Sequence, residues 1–160
     1  MRYKVHHSIF TGKAGSGKTT LISEQLAAAK AKNPLLKVCV IDVKACSKDS
    51  SLYQLADMHL VRQCRVDDPR GIVEFVLTAL ETFAGFAEKH SNTLLIIEEM
   101  QAIEYCFRRN MMHFYVANFV EGMVSFGDSK GQTIWLSCMD ERGASNISSA
   151  TKSQFRLFAL

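Results

Sequence analysis

A glycine-rich run near the amino terminus has residue types that suit phosphate binding. The run reads Gly12-Lys13-Ala14-Gly15-Ser16-Gly17-Lys18-Thr19. Glycines let the backbone wrap round a phosphate so that successive N–H groups point inward, and a helix that begins there adds the positive end of its dipole. The spacing is the P-loop pattern. It predicts a nucleotide-binding site over these residues and the adjoining Thr20.

The last two residues of the pattern have separate predicted roles. Lys18 is expected to bridge the β- and γ-phosphates of a nucleoside triphosphate, which makes it a candidate catalytic residue. The hydroxyl of Thr19 is expected to ligate Mg²⁺. A chance glycine-rich turn before a helix is the alternative, and the predicted strand, loop and helix in register weigh against it.

Two acids follow a strongly apolar run in the second half of the chain, in a segment that resembles a Walker B motif: Leu94-Leu95-Ile96-Ile97-Glu98-Glu99. Two adjacent carboxylates at the end of a buried strand repel each other and lose hydration, so they need a cation nearby. Beside a metal-bound phosphate, Glu98 would hold Mg²⁺ through a water and Glu99 would polarise the attacking water. The alternative interpretation is a solvated acidic start to the next segment.

Other phosphate contacts are indicated less specifically. Ser137 ends a predicted strand and could sense the γ-phosphate or be a plain strand end, and Met139 stands where a Gln would be expected. Arg108, Arg109 and Arg142 are candidates for the arginine that stabilises charge on a transferring phosphoryl group, which a neighbouring subunit can also supply. Each could instead be a surface residue.

The periodicity of apolar residues predicts strands that alternate with helices. Continuous apolar runs predict strands over 5–10, 38–41, 93–97, 133–137 and 155–159. Helical spacing with Pro and Asn/Asp boundary signals predicts helices over 17–32, 69–89 and 109–126. This alternation implies an α/β fold: a three-layer, RecA-like P-loop domain with a mostly parallel central sheet. Ligands in such folds lie at the carboxyl ends of the strands, where every motif above falls.

The composition is that of a soluble domain. Of the 160 residues, 48% are hydrophobic, enough for one core without a metal or disulfide staple, so we expect a single domain over 1–160. The net charge of +3 neither requires nor excludes nucleic acid. No apolar run reaches membrane-spanning length. Unpatterned cysteines are typical of reduced thiols in a cytoplasmic protein; they are Cys39, Cys46, Cys64, Cys106 and Cys138.

The rest of the sequence narrows the P-loop class. A GTPase should carry an Asn-Lys-x-Asp motif after a later strand, and a small-molecule kinase should carry an arginine-rich lid; neither is visible. The pair Glu98-Glu99, distant from the P-loop, favours ATPases that use an added catalytic glutamate. ATP and Mg²⁺ are therefore the expected cofactors.

Four segments resemble the FtsK–HerA superfamily of DNA-pumping ATPases, which includes conjugative coupling proteins and viral genome-packaging ATPases. Residues 7–19 look like its entry segment, and residues 40–44 are similar to a stretch that often reads Asp-Pro-Lys. Residues 131–139 resemble the stretch that usually carries Ser/Ala-Thr-Gln, and residues 147–160 the segment before the last core strand. The chain departs from the family pattern at Glu98, where Asp is usual.

The resemblance implies an ATP-driven motor that moves DNA in viral genome packaging or conjugative transfer. It also implies a homo-oligomeric ring, often hexameric, with DNA in its channel and ATP between subunits. The short segment before Gly12 is similar to that of small packaging ATPases and of phage assembly ATPases of the zonular-occludens-toxin type. We therefore expect no amino-terminal anchor. A chain of this kind could still dock on a membrane or capsid partner or associate with virions. An export ATPase that does not grip DNA and a slow nucleotide-binding switch are the open alternatives.

Overall fold

Six parallel strands form one sheet in the residues that the computed structural model describes, which are 3–44, 50–65 and 67–160. The strands are β1 Ser8–Thr11, β2 Lys37–Asp42, β3 Met58–Val61, β4 Thr93–Ile97, β5 Gln132–Cys138 and β6 Arg156–Ala159. Every pair of neighbours in the sheet is parallel. The predicted parallel α/β architecture is confirmed.

Helices cover both faces of this sheet. They are α1 Lys18–Lys32, α2 Ser50–Leu55, α3 Pro69–Glu88, α4 Met100–Arg109, α5 Tyr115–Phe126 and α6 Ser149–Lys152. Ile22 and Trp135 belong to the core on the α1 face, and Val76 and Phe107 belong to the core on the face of α3, α4 and α5. Because successive strand residues point to opposite faces, both cores draw on the same apolar strands. The molecule therefore has the three layers of the predicted RecA-like P-loop fold.

The order of the strands across the sheet is β3-β2-β4-β5-β1-β6. Leu136 of β5 lies opposite Ile9 of β1 on one side and Ile97 of β4 on the other. Parallel strands end at the same edge of a sheet, so the end of β5 lies between two predicted motifs. On one side is the P-loop, which follows β1, and on the other is the acidic pair that follows β4.

The start predicted for the last long helix is wrong. Helix α5 begins at Tyr115, whereas Arg109 is the last residue of α4. Asn110 ends α4, with its side-chain amide donating to the carbonyl oxygen of Cys106 at 2.8 Å. Met111 then has left-handed backbone, with φ of 60°. Helical spacing of apolar residues continues across this break, so periodicity alone did not reveal it.

The other element boundaries agree with the sequence to within a few residues. Strand β1 begins at Ser8 and not at residue 5, although Val5 is buried. Asp68 caps α3 by accepting a hydrogen bond from the N–H of Gly71 at 3.0 Å, which confirms the predicted helix start. The elements α2, β3, α4 and α6 were not predicted. Three of them, α2, β3 and α6, have only four to six residues. Helix α4 has its buried residues Ile103, Cys106 and Phe107 at helical spacing, so its pattern was present in the sequence.

The described cysteines are free thiols: Cys39, Cys64, Cys106 and Cys138. Cys46 lies outside the described residues. Burial raises the pKa of the Cys39 thiol to about 12, which makes it an inert core residue. Within the described ranges no helix combines the length and apolar character needed to cross a bilayer.

Candidate nucleotide-binding and hydrolysis site

The predicted P-loop is the turn between β1 and α1. Gly15 and Gly17 have left-handed backbone, with φ of 80° and 89°, which glycine adopts without steric cost. Gly17 is also the N-cap of α1 and has no side chain with which to cap it. The first N–H groups of α1 therefore receive no hydrogen bond from the side chain of that residue. Uncapped N–H groups at a helix start can bind an anion.

Lys18 is buried in the first turn of α1, with 8% of its surface exposed. Its Nζ donates to the carbonyl oxygens of Gly12 at 3.2 Å and Cys138 at 3.0 Å. Both acceptors are neutral, so these bonds do not compensate the positive charge, and the ammonium has a third donor. A buried cation of this kind suits a phosphate group, and Lys18 fits its predicted role.

An open cavity of about 330 Å³ lies over the P-loop turn. Most of its wall is the predicted binding segment, joined by residues that follow β2, β4 and β5. The lining residues are Lys13, Ala14, Gly15, Gly17, Lys18, Thr19, Thr20, Lys44, Glu99 and Met139. Gly12 and Ser16 pack against each other beside the cavity, where a Cβ on Gly12 would overlap Ser16 Oγ. The structure thus brings Glu99 to the P-loop.

Glu98 is buried at the end of β4, with 3% of its surface exposed. It lies close enough to Cys138 to affect that thiol: burial raises the pKa of Cys138 to about 12, Lys18 opposes the rise, and Glu98 adds to it. Glu98 follows β4, which pairs with β5, and Lys18 contacts the end of β5 through the carbonyl oxygen of Cys138. Carboxylate and hydroxyl oxygens are ligands that Mg²⁺ prefers, so Glu98 and Thr19 suit the predicted metal role.

Glu99 directs its carboxylate to the cavity from a strained turn. Its backbone is left-handed, with φ of 59° and ψ of 46°, and it is the N-cap of α4. Its Oε1 lies 3.6 Å from Nζ of Lys44, and its Oε2 accepts a hydrogen bond from Nε2 of Gln101 at 2.6 Å. The side chain is 19% exposed. The carboxylate is therefore held by two neighbours yet open to the cavity.

Gln101 belongs to the site although no motif indicated it. In addition to its bond with Glu99, its Oε1 accepts a hydrogen bond from the backbone N–H of Met139 at 3.1 Å. A Gln was expected at position 139 itself; the structure instead brings an amide to that position from α4. The sequence feature that could have indicated Gln101 is a polar amide side chain just after the acidic pair Glu98-Glu99.

Lys44 reaches the cavity from the turn after β2, in the segment that resembles Asp-Pro-Lys. Asp42 is fully buried and accepts hydrogen bonds from the backbone N–H of Lys44 at 2.8 Å and from the hydroxyl of Tyr53. These bonds fix the course of the chain as it leaves the sheet. A third lysine thereby joins Lys13 and Lys18 at the cavity.

Ser137 and the candidate arginines do not line the cavity. Ser137 is fully buried, and its hydroxyl has no hydrogen-bond partner within the described part of the chain. The side chain of Arg142 is 90% exposed and pairs with Asp140 at 2.6 Å. Arg108 and Arg109 are exposed in the last turn of α4. The sensor and arginine roles stay predictions.

The parallel sheet, its covering helices and the turn after β1 give this chain the fold of P-loop NTPases. EssC (ATPases 2 and 3) from Geobacillus thermodenitrificans matches it with a TM-score of 0.50 and 16% identity, over 96% of this chain and 32% of that one. Thermomonospora curvata EccC (ATPases 2 and 3), solved in complex with a signal sequence peptide, matches with a TM-score of 0.55 and 12% identity, over 92% and 29%.

The cytoplasmic domain of the Thermomonospora curvata type VII secretion ATPase EccC also matches, with a TM-score of 0.52 and 14% identity, over 89% of this chain and 20% of that one. This chain thus spans about a third or less of the solved chains it resembles. At identities this low, the structural likeness shows that the fold is shared and nothing more. No family model and no curated protein matches the sequence.

Proposed function

We propose that this chain is an ATP-hydrolysing motor domain that binds ATP and Mg²⁺ over residues 12–20. One observation supports this most strongly: Glu99 lines the same cavity as Lys18 and Thr19, although β4 is not adjacent to β1. A phosphate-binding turn alone can serve a nucleotide switch. A carboxylate that faces it adds a group able to act on water.

The residues of the chain divide the reaction among them. Mg²⁺, when bound, would neutralise charge on the β- and γ-phosphates. Lys18 exchanges its two carbonyl acceptors for phosphate oxygens, and the first N–H groups of α1 hold the remaining charge. Thr19 would supply an oxygen ligand to the metal, and Glu98 would hold the metal through a water. Glu99 accepts a hydrogen bond from the attacking water and orients it toward the γ-phosphate.

The cargo that we propose is DNA, moved through a homo-oligomeric ring in viral genome packaging or conjugative transfer. The support is the resemblance of residues 7–19, 40–44, 131–139 and 147–160 to FtsK–HerA ATPases. The position of Lys44 beside Glu99 gives the second of these segments a place at the nucleotide site. In such a ring the nucleotide would lie between subunits.

Protein export is the second candidate function. It is favoured by the fold shared with EccC, a type VII secretion ATPase that has been solved with a signal sequence peptide. The net charge of +3 does not separate the two cargoes, because a DNA motor and an export motor can both carry it.

The test is ATP hydrolysis by the purified chain with and without double-stranded DNA, with its oligomeric state measured in parallel. We expect Mg²⁺-dependent turnover that DNA stimulates several-fold and that chelation of Mg²⁺ abolishes. Turnover in an assembled ring that DNA leaves unchanged would contradict the DNA motor and favour export. ATP binding without turnover would contradict both motors and favour the slow switch.

A further inference from the structure

Gln101 joins two groups of the site through hydrogen bonds of opposite sense. Its Nε2 donates to Oε2 of Glu99 at 2.6 Å, and its Oε1 accepts from the N–H of Met139 at 3.1 Å. A carboxylate only accepts and a backbone N–H only donates, so the two partners fix which way the amide points. A side chain at this position needs both a donor and an acceptor to satisfy them.

The N–H of Met139 belongs to a peptide group that also contacts the P-loop. The carbonyl oxygen of that peptide group is the one of Cys138, and it accepts the hydrogen bond from Nζ of Lys18 at 3.0 Å. A peptide group is planar, so its C=O cannot turn without its N–H turning too. A continuous path of hydrogen bonds therefore runs from Lys18 through this peptide group and Gln101 to Glu99.

We propose that Gln101 is a positioning residue that couples the state of Lys18 to the orientation of the Glu99 carboxylate. The inference rests on the proposed function, because it requires Lys18 to move its hydrogen bonds to a phosphate. When Lys18 leaves the carbonyl oxygen of Cys138, that oxygen keeps its hydrogen bond from the N–H of Gly12 at 3.1 Å but loses the one from the ammonium, so the peptide group can shift about the remaining bond. Gln101, bonded to the N–H of the same peptide group, transmits the change to Glu99.

Of the two side chains that contact the Glu99 carboxylate, Gln101 restrains it more strongly than Lys44 does. The carboxylate contacts Lys44 through Oε1 and Gln101 through Oε2. The contact with Lys44 spans 3.6 Å and involves an ammonium side chain that is 55% exposed, which makes it a weak restraint. The bond from Gln101 is part-buried and spans 2.6 Å, so it is the stronger of the two.

Steady-state kinetics of two variants test the coupling. Gln101→Leu removes both hydrogen bonds, and we expect kcat to fall roughly 10- to 100-fold, the effect of misplacing a reacting group. The KM for ATP should stay within about threefold, because the P-loop is unchanged. Gln101→Glu keeps an acceptor for Met139 but sets a carboxylate against Glu99, and it should lower kcat at least as much. Full kcat in Gln101→Glu would overturn the proposal, because the link to β5 alone would then be sufficient.

Asn146→Leu is the matched control. Asn146 donates from Nδ2 to Oε2 of Glu104 at 2.9 Å and so ties α4 to the segment after β5 without contacting Glu99. We expect this variant to keep kcat within about twofold, as a change remote from the reacting groups should. An equal loss of kcat in Asn146→Leu and Gln101→Leu would show that any loosening of α4 has the same effect, and would overturn the coupling.

A second readout does not require turnover. The side-chain amide resonance of Gln101 can be followed by NMR in ¹⁵N-labelled protein and assigned by its absence from the Leu variant. Adding ATPγS with Mg²⁺ should shift this resonance. Nucleotide binding without a shift would overturn the coupling and leave the proposed binding site standing. A shift in a protein that never hydrolyses ATP would support the coupling and contradict the proposed hydrolysis, and failure to bind ATPγS would overturn both.

Discussion

Two turns at the same edge of the sheet require left-handed backbone, and they meet that requirement with different residues. In the turn after β1 the left-handed positions are Gly15 and Gly17. In the turn after β4 the left-handed position is Glu99. Glycine adopts this conformation freely, whereas another residue there costs on the order of 1–3 kcal/mol.

The difference follows from what each turn presents to the cavity. In the proposed function the P-loop presents backbone N–H groups to a phosphate, and glycine leaves them accessible. The turn after β4 presents a carboxylate, so it needs a side chain despite the strain. Met111 has the same backbone conformation, with φ of 60°, but it is 82% exposed where α4 ends, and there the conformation only terminates a helix. Strain at Glu99 therefore fits the role that we propose for its carboxylate.

The largest effect is expected from Glu99→Gln, which keeps the shape of the turn and removes the charge that acts on water. We expect kcat for ATP to fall about 10²- to 10⁴-fold, the usual contribution of a general base, while ATP affinity is retained. Glu141→Gln makes the same charge change at an exposed site just after β5 and should leave kcat unchanged. An undiminished rate in Glu99→Gln would show that the strained turn has no catalytic role.

Lys18→Met tests the other turn, because it removes the cation while keeping the apolar stem of the side chain. Loss of one charge-stabilising donor lowers kcat by about 10²- to 10³-fold, and here ATP affinity should fall as well. Lys13→Met removes an exposed cation of the same loop and should have a smaller effect. Isothermal titration with ATPγS and a hydrolysis assay measure both. If the two lysine variants behaved alike, the burial of Lys18 would have no special importance.

Stability measurements at the two turns should show the same preference for glycine over alanine. Gly15→Ala adds a Cβ that meets no atom within 4 Å, so its cost is conformational, about 1–2 kcal/mol. Glu99→Gly should be more stable than Glu99→Ala by about 1 kcal/mol, because glycine relieves the left-handed strain. Urea unfolding midpoints measure both differences. Equal stabilities of the two Glu99 variants would mean that this turn is not strained.

The smallest effect is expected from Glu104→Gln, at a carboxylate of α4 that lies outside the cavity lining. Burial raises the pKa of Glu104, although Asn146 and Arg108 oppose the rise. A folded-state pKa above the unfolded one means that the folded state binds more protons, so stability falls as the pH rises through this range. Glu104→Gln should therefore raise the unfolding midpoint at pH 7 and change little below about pH 4. Turnover should be unaffected. A large loss of kcat would show that Glu104 takes part in the reaction.

Much of the site could be predicted because its parts are contiguous in the chain. Residues 12–20 and the pair Glu98-Glu99 each lie in one short segment that joins a strand to a helix, and local residue types specify what such a segment can bind. The break between α4 and α5 at Asn110 could not be predicted from periodicity, because apolar residues keep helical spacing across it. The contact of Gln101 with Met139 joins residues far apart in the chain, and no local pattern specifies it.

The sequence by itself determined a glycine-rich turn with the P-loop pattern, an acidic strand end and a parallel α/β fold, since spacing and periodicity act over short distances. Only the tertiary structure decided that β5 lies between β1 and β4, because strand order depends on how the helices pack across the whole sheet. That order sets the carbonyl oxygen of Cys138 against Lys18 and the N–H of Met139 against Gln101. The two turns are thereby joined through one peptide group.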